Sequence, residues 1–176
     1  MSVLTDRMLR AARLDASLYE EVEHDSTVTS QAALVVVIAS VASGIGNIDT
    51  GGLTGLLQGT IGALLAWFFW SFVIYQVGVR LLPEEQTEAD YGQLLRTIGF
   101  ASAPGVVNVL GIVPFLGGLA MLVAQVWVLA ATVVAVRQAL DYRGTGRAVA
   151  VCVVSWVVVF VAVLVLGFIF GAGRGA

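Results

Sequence analysis

Residues 97–136 read TIGFASAPGVVNVLGIVPFLGGLAMLVAQVWVLAATVVAV, a stretch of 40 residues without a charged side chain. A membrane-spanning helix needs about 20 predominantly apolar residues, so this stretch is long enough for two spans. Proline and glycine stand together near its middle, in residues 114–118 (PFLGG), and predict a tight turn between two antiparallel helices. The stretch therefore indicates an integral membrane protein.

The composition of the 176-residue chain supports this interpretation. Hydrophobic residues make up 59% of the chain and charged residues only 12%, whereas an ordinary soluble domain has about 25% charged residues. A soluble domain of this size could not bury so much apolar surface. The nine basic residues are all arginine, and twelve acids give a net charge of −3, which excludes a basic nucleic-acid-binding surface.

Three further uncharged stretches, residues 26–48, 50–79 and 148–173, hold one span each. The predicted fold class is all-α: a polytopic membrane protein with five transmembrane helices and an N-terminal amphipathic helix. Residues 1–25 form the N-terminal segment and residues 26–173 the membrane domain. We place the spans near residues 29–48, 55–81, 98–113, 118–137 and 147–170. Pro104 lacks a backbone donor, so we expect the third span to be bent, partly re-entrant or tilted against its neighbours.

Arginine positions predict the orientation of these spans. Eight of the nine arginines fall on one side of the five-span arrangement, and only Arg174 falls on the other. Because basic residues collect on the cytosolic side, we expect a multi-pass protein of the cell membrane with a cytosolic N-terminus and an external C-terminus. Residues 1–25 carry nine charges and no apolar core, so no cleavable signal peptide is predicted.

Two segments outside the spans are expected to face the cytosol. In residues 1–25, apolar side chains recur at helical spacings of three and four: Leu4, Met8, Ala11, Leu14, Leu18 and Val22. This helix would lie on the inner leaflet or pack on the protein's own loops, and the sequence leaves both alternatives open. In residues 82–97, Thr87 and Asp90 are spaced as a capping box that would start a short helix.

The sequence shows no catalytic, cofactor-binding or metal-binding motif. His24 and Cys152 are each the only residue of their type, so they cannot form a zinc site by themselves. Because no nucleophile stands near His24, we expect no enzymatic activity. The polar residues of the spans are neutral: Gln58, Gln76, Asn108, Gln125 and Ser155. Their wide spread favours hydrogen bonds between helices over a path for a neutral solute.

A row of glycines marks the second span. Gly51, Gly55 and Gly59 form two consecutive G-x-x-x-G steps, with Gly62 close by. Small residues at this spacing let two helix backbones approach closely, so the row predicts helix packing. The partner helix would belong either to this chain or to a second copy in a homo-oligomer, and the sequence does not distinguish the two.

The entry to the third span has a motif of its own. Arg96 precedes residues 99–104 (GFASAP), which follow a Gly-aromatic-x-x-x-Pro pattern. With the N-terminal segment and the five spans, this pattern resembles the Yip family of Ypt/Rab-interacting membrane proteins, and more closely its prokaryotic branch. Eukaryotic members carry an Asp-Leu-Tyr-Gly-Pro motif before the first span, whereas the most similar stretch of this sequence is residues 17–21 (SLYEE). The resemblance therefore does not imply a Rab-type GTPase partner.

These observations favour a non-enzymatic scaffold or adaptor without a cofactor, in contact with membrane lipids and with an unknown protein partner at the cytosolic face. The alternative is a small permease or channel-like protein for a neutral or lipid-like solute, which would pass beside the bend at Pro104. Arg96, Gly99, Phe100 and Pro104 are the candidate residues for partner or lipid contact. We expect Arg96 to lie at the depth of the lipid headgroups, where its guanidinium would bind a phosphate or an acidic side chain of residues 87–95.

Overall fold

The computed structural model of the protein describes residues 2–113 and 115–171, and every regular element in these residues is a helix. In chain order the α-helices are α1 (Val3–Ala12), α2 (Ala16–His24), α3 (Thr29–Gly46), α4 (Ile48–Gln76), α5 (Tyr91–Ala101), α6 (Gly117–Ala139) and α7 (Thr145–Gly171). A π-helical turn, Val77–Leu81, extends α4, and a 3-10 helix, Ala103–Ile112, follows α5. Pro114 of the predicted turn lies outside the described residues.

Five helical segments are long and apolar enough to cross a membrane, which confirms the predicted all-α class with five spans. They are Ser26–Gly46, Ile48–Leu81, Tyr91–Ile112, Gly117–Ala139 and Thr145–Val165. The second and third spans each begin seven residues before the predicted positions near 55 and 98. Asp49 and Arg96 lie in these added turns, and an uncharged stretch cannot indicate that a helix continues through a charged residue.

The outer surface of the bundle is apolar. Large hydrophobic side chains are exposed along α4, α6 and α7, among them Phe68, Phe69, Leu122, Trp156 and Phe160. A soluble monomer rarely exposes so much contiguous apolar surface. In a membrane protein these side chains contact lipid, while smaller residues such as Ala124, Ala131 and Ala135 are buried between the helices.

The third span changes its helix type where Pro104 predicts an irregularity. The α-helix ends at Ala101, and residues 103–112 continue as a 3-10 helix. Because a 3-10 helix rises about 2.0 Å per residue instead of about 1.5 Å, this half of the span covers more depth for its length. The hydroxyl of Ser102 donates to the carbonyl of Ile98 at 3.4 Å, one turn earlier in α5.

The glycine row of α4 does not pack against another helix of this chain. Gly52 has φ 56° and ψ −163°, which interrupts the helix directly after Gly51, yet Gly51, Gly55 and Gly59 still line one groove. A Cβ built at Gly51, Gly55, Gly59 or Gly62 meets no described atom within 4 Å. No close packing of these glycines is seen within the described residues, because Gly51, Gly55 and Gly59 line an open groove beside α3. Packing against a second copy stays a prediction.

The N-terminal segment forms two helices, α1 and α2, instead of the one amphipathic helix that its periodicity predicts. Leu14 has a left-handed φ of 61°, and the carboxylate of Asp15 caps α2 by accepting from the N–H of Ser17 at 3.0 Å. We call residues 2–24 the N-terminal hairpin. Its side chains Leu18, Tyr19 and Val22 are fully buried against the bundle. Of the two alternatives, the structure shows the hairpin packed on the protein itself.

Candidate functional site

Three segments of the chain meet at one end of the bundle: the N-terminal hairpin, residues 82–90 and residues 140–147. The hydroxyl of Thr87 donates to the carbonyl of Leu140 at 3.1 Å, which joins the second and third segments. The amide of Gln86 donates to the carbonyl of Asp141 at 3.0 Å. We call the surface that these segments form the arginine-rich end, because seven of the eight described arginines belong to them or to the helix ends beside them.

The loop after α6 is fixed by two buried or partly buried groups. The hydroxyl of Tyr142 shares its one proton between two carbonyls, that of Leu82 at 2.7 Å and that of Gly78 at 3.1 Å. Burial raises the pKa of Tyr142 to about 12, so the phenol stays neutral and keeps these bonds. The carboxylate of Glu84 accepts from the backbone N–H of Arg143 at 3.1 Å and lies 3.3 Å from the guanidinium of Arg147. These partners lower the pKa of Glu84.

The predicted capping box at Thr87 and Asp90 is wrong, since the box that starts α5 lies three residues further on. The carboxylate of Asp90 accepts from the backbone N–H of Gln93 at 2.9 Å, and the side-chain oxygen of Gln93 accepts from the backbone N–H of Asp90 at 2.7 Å. Thr87 is left to bond the loop after α6. The capping box fixes the first residue of α5 at Tyr91. Arg96 follows in the second turn of α5, on the side of the helix that faces the N-terminal hairpin.

Arg96 holds the end of α2. Its side chain is buried, at 7% exposure, and its Nε donates to the carbonyl of Val22 at 2.9 Å. Its Nη2 donates to the carbonyl of Glu23. The last carbonyls of a helix have no partner within the helix and carry partial negative charge, so a guanidinium satisfies them and stabilises the helix end. The structure thus places Arg96 on main-chain carbonyls of α2, and not at a lipid phosphate or an acid of residues 87–95.

Gly99, Phe100 and Pro104 are buried as well, so all four candidate contact residues point into the protein. A Cβ built at Gly99 would lie 2.8 Å from the Cβ of Ala32, which means that α3 and α5 touch at this glycine. Phe100 is fully buried in the core. The Gly-aromatic-x-x-x-Pro segment therefore joins the third span to the first span, while Arg96 joins it to the N-terminal hairpin.

Glu23 is a buried acid beside Arg96. Its burial is not predictable from the sequence, because it stands in an acidic run of the kind that is typical of a solvated helix face. Its side chain is only 4% exposed, and burial raises its pKa to about 7. Its Oε2 has no hydrogen-bond partner among the described residues. Its Oε1 lies 3.4 Å from the Nδ1 of His24, so protonation of His24 would give it a counter-charge.

No group of three His, Cys, Asp or Glu side chains that could hold a metal occurs in the described ranges 2–113 and 115–171. His24 lies at the exposed end of α2, and its Nδ1 is 2.9 Å from the carbonyl of Glu20. Cys152 is buried within α7. The hydrogen bonds of the arginine-rich end serve a structural role. They join the N-terminal hairpin to the third span, and residues 82–90 to residues 140–147.

Comparison with known proteins agrees with this organisation. Residues 16–167 match the model of the Yip1 domain. The chain belongs to the Yip1 family. The matched range begins at the first residue of α2 and includes all five spans, so the helix that Arg96 holds is part of the domain. No curated protein and no solved structure matches the chain. The Yip1 family is one of non-enzymatic membrane proteins, and this member is a multi-pass membrane protein.

Proposed function

We propose that this Yip1-domain protein is a non-enzymatic scaffold or adaptor of the cell membrane that binds a protein partner at its cytosolic face. In this proposal the arginine-rich end faces the cytosol, in agreement with the preference of arginine for that side. Gly99, Phe100 and Pro104 contribute through the packing of the third span, and Arg96 contributes by positioning α2.

The observation that carries the proposal is the pair of hydrogen bonds from Arg96 to the end of α2. They connect residues that are more than 70 positions apart in the chain and fix the end of α2 against α5. A surface that is ordered before binding loses less conformational entropy when a partner arrives. Exposed polar side chains cover this surface: Glu20, Glu85, Glu88, Asp90, Asp141 and Arg143.

Photo-crosslinking in native membranes tests the proposal. A benzophenone amino acid at Glu88, which is exposed, would report a partner at the arginine-rich end, and one at Leu116 would serve as the control at the opposite end. We expect a protein adduct from position 88 and none from position 116. Arg96→Gln should reduce the adduct at position 88, because it releases α2.

Arg80→Gln is the matched control variant, since it removes the same charge from an exposed residue at the same end. It should leave the adduct unchanged. An adduct of equal yield in Arg96→Gln would show that the fixed position of α2 does not matter. Failure to find any adduct from position 88, or from further probes at the exposed residues Glu20 and Glu85, would contradict the adaptor role.

A further inference from the structure

An apolar groove of about 530 Å³ runs between α6 and α7 on the outer surface of the bundle. Apart from Thr145, Cys152 and Trp156, every side chain that lines this α6–α7 groove is aliphatic. Several lining residues are exposed, among them Val126 and Val153, so the groove is open on the side that faces lipid. Its volume is within the usual range of ligand pockets, roughly 300–1,000 Å³.

The groove has about the depth of one leaflet. On α7 its lining extends from Thr145, the first residue of the helix, to Trp156, which is about 17 Å at about 1.5 Å per residue. On α6 it extends over residues 126–134, or about 12 Å. Because the hydrocarbon core of a bilayer is about 30 Å thick, an acyl chain that enters at the arginine-rich end would follow the groove to about the middle of the membrane.

Arg137 stands where the groove reaches the arginine-rich end. Val126, Ala130 and Val133 precede it at helical spacings and therefore share one face of α6 with it. Its guanidinium donates to the carbonyls of Tyr142 and Arg143 at 3.3 and 3.4 Å. These two residues come directly before the start of α7, so the side chain is held beside the end of the groove that Thr145 lines.

The charge of Arg137 has no acidic partner among the described residues. Arg7, Arg10 and Arg147 each form an ion pair with a carboxylate, whereas Arg137 bonds only main-chain carbonyls within the described part of the chain. These bonds use two of the five guanidinium N–H groups, so three remain for an anion. The first turn of α7 adds partial positive charge at the same place, because its N–H groups have no partners within the helix.

We propose that the α6–α7 groove binds one acyl chain of an anionic glycerophospholipid, with the phosphate of the head at Arg137. The chain packs on the aliphatic side chains of α6 and α7, and the phosphate accepts from the guanidinium of Arg137 and the hydroxyl of Thr145. A head with net negative charge balances Arg137, whereas the ammonium of a choline head would place a second cation beside it. Unlike Arg96, which is buried on carbonyls of α2, Arg137 is partly exposed.

Two other occupants each satisfy only one part of this site. A soluble phosphate ester would bind Arg137 and leave the apolar groove uncovered. A span of a second copy would cover the groove and leave the charge of Arg137 to another group. A lipid satisfies both parts, and the experiment includes the other two occupants as outcomes.

The test uses the full-length protein in phosphatidylcholine nanodiscs with a trace of phosphatidylglycerol that carries a diazirine on one acyl chain. After irradiation, mass spectrometry should locate adducts in residues 126–134 of α6 and 145–156 of α7. Unlabelled phosphatidylglycerol in excess should remove these adducts, whereas additional phosphatidylcholine or glycerol 3-phosphate should not.

Three arginine variants test the site of the head. Arg137→Gln removes the cation and should reduce the labelling about tenfold, the effect expected for one lost hydrogen bond to a charged group. Arg137→Lys keeps the charge without the paired bonds to the loop, so it should restore most of the labelling if charge, and not loop structure, is what matters. Arg80→Gln removes an exposed charge at the same end but outside the groove and should label like the parent.

A matched pair of substitutions on α7 tests the site of the acyl chain. Val149→Trp fills the groove at an exposed position, where a larger side chain does not disturb the core, and should abolish the adducts. Val158→Trp makes the same change at an exposed position outside the groove and should label like the parent.

Equal labelling of Val149→Trp and Val158→Trp would overturn the proposal, since the probe would then be bound elsewhere on the lipid-facing surface. Equal labelling of Arg137→Gln and Arg80→Gln, or equal competition by phosphatidylcholine and phosphatidylglycerol, would show that the site does not select an anionic head. Displacement by glycerol 3-phosphate would assign Arg137 to a soluble phosphate ester.

The remaining outcome concerns a second copy of the chain. Absence of specific adducts, together with a disulfide between two chains that carry Val153→Cys and Cys152→Ala, would assign the groove to an interface between copies and overturn the proposal.

Discussion

Arg96 is the residue on which the arrangement of the arginine-rich end depends. Its guanidinium replaces water at two carbonyls that are otherwise buried at the end of α2. Arg96→Gln should lower the stability of the folded protein by about 1–3 kcal/mol, the cost of leaving buried carbonyls without donors. Thermal unfolding in detergent measures this change. Arg80→Gln should alter stability by less than about 0.5 kcal/mol, as exposed substitutions usually do.

If Arg96→Gln and Arg80→Gln unfolded at the same temperature, the two hydrogen bonds of Arg96 would be absent in solution. The proposed adaptor surface would then lose the observation that carries it, even though membership of the Yip1 family would be unaffected.

Glu23 should make stability depend on pH. Its pKa of about 7 in the folded protein lies above the ordinary value of 4.5, because burial disfavours the charged form. At a pH below 4.5 the carboxyl is neutral in both the folded and the unfolded protein, so its burial does not reduce the free energy of unfolding. As pH rises from there to about 7, the unfolded chain releases the proton first, so stability falls, and the loss is complete once the folded protein has ionised as well.

Glu23→Gln removes this dependence, because glutamine does not titrate. At pH 8 the variant should unfold at a higher temperature than the parent, and the difference should shrink as the pH is lowered toward 4.5. The groups that face Glu23 are His24, Glu20, Asp141 and Arg96. Glu85→Gln changes an exposed acid at the same end and should follow the parent at every pH. A Glu23→Gln curve parallel to that of the parent would contradict the buried placement of this carboxyl.

At the scale of elements, the sequence predicts what depends on local pattern and misses what depends on a distant partner. The uncharged stretches indicate five spans, because a bilayer demands long apolar segments. The change of helix type at Pro104 is also a local effect of a missing N–H donor. The break at Leu14 is not predictable in this way, since a left-handed leucine is rare and only burial of α2 on the bundle explains it.

The glycines show the same limit. The spacing of Gly55 and Gly59 is the pattern that predicts close packing, yet a Cβ built at either glycine meets no described atom within 4 Å. Gly99 follows no such pattern, but a Cβ there would lie 2.8 Å from Ala32. Similarly, the residue types Asn108 and Gln125 are readable from the sequence, whereas the cavity of the bundle that both residues line requires the three-dimensional arrangement.

A matched pair of substitutions tests this difference between the glycines. Gly99→Ala should destabilise the protein by about 1–3 kcal/mol, because an added methyl group must push α3 and α5 apart. Gly55→Ala should leave the thermal stability of the monomer unchanged. Light scattering in mild detergent addresses the remaining prediction for the glycine row. A mass of two or more chains that Gly55→Leu reduces to one would indicate packing against a second copy.

At the scale of the whole molecule, the N-terminal hairpin extends from the arginine-rich end along the side of the bundle. The indole N–H of Trp127 donates to the carbonyl of Ala12 at 2.7 Å, although Trp127 stands twelve residues before the end of α6. At about 1.5 Å per residue, that is roughly 18 Å of depth. Charges at such depth require partners, and Arg10 has them: it lies 2.9 Å from Asp15 and 2.6 Å from Glu21.

The orientation of the whole bundle is the prediction on which the cytosolic role rests. Cys152 is replaced by alanine, and single cysteines are then introduced at exposed positions at the two ends of the bundle. Ser2, Glu85 and Gly144 lie at or near the arginine-rich end, whereas Leu53 and Leu116 lie at the other. Because basic residues are retained in the cytosol, a membrane-impermeant maleimide added to intact cells should label the second group and spare the first until the membrane is opened.

Gly175 extends the test beyond the described residues, where an external C-terminus is predicted because an odd number of spans separates it from a cytosolic N-terminus. Labelling of position 85 in intact cells, with protection of position 53, would invert the orientation and move the adaptor surface to the outside. Labelling of positions 53 and 85 from the same side would be more serious, because α4 would then not cross the bilayer. Labelling of the two positions from opposite sides agrees with the structure, since α4 continues through the π-helical turn that holds Arg80 to residues 82–90 and has its glycine-rich end at the opposite end of the bundle.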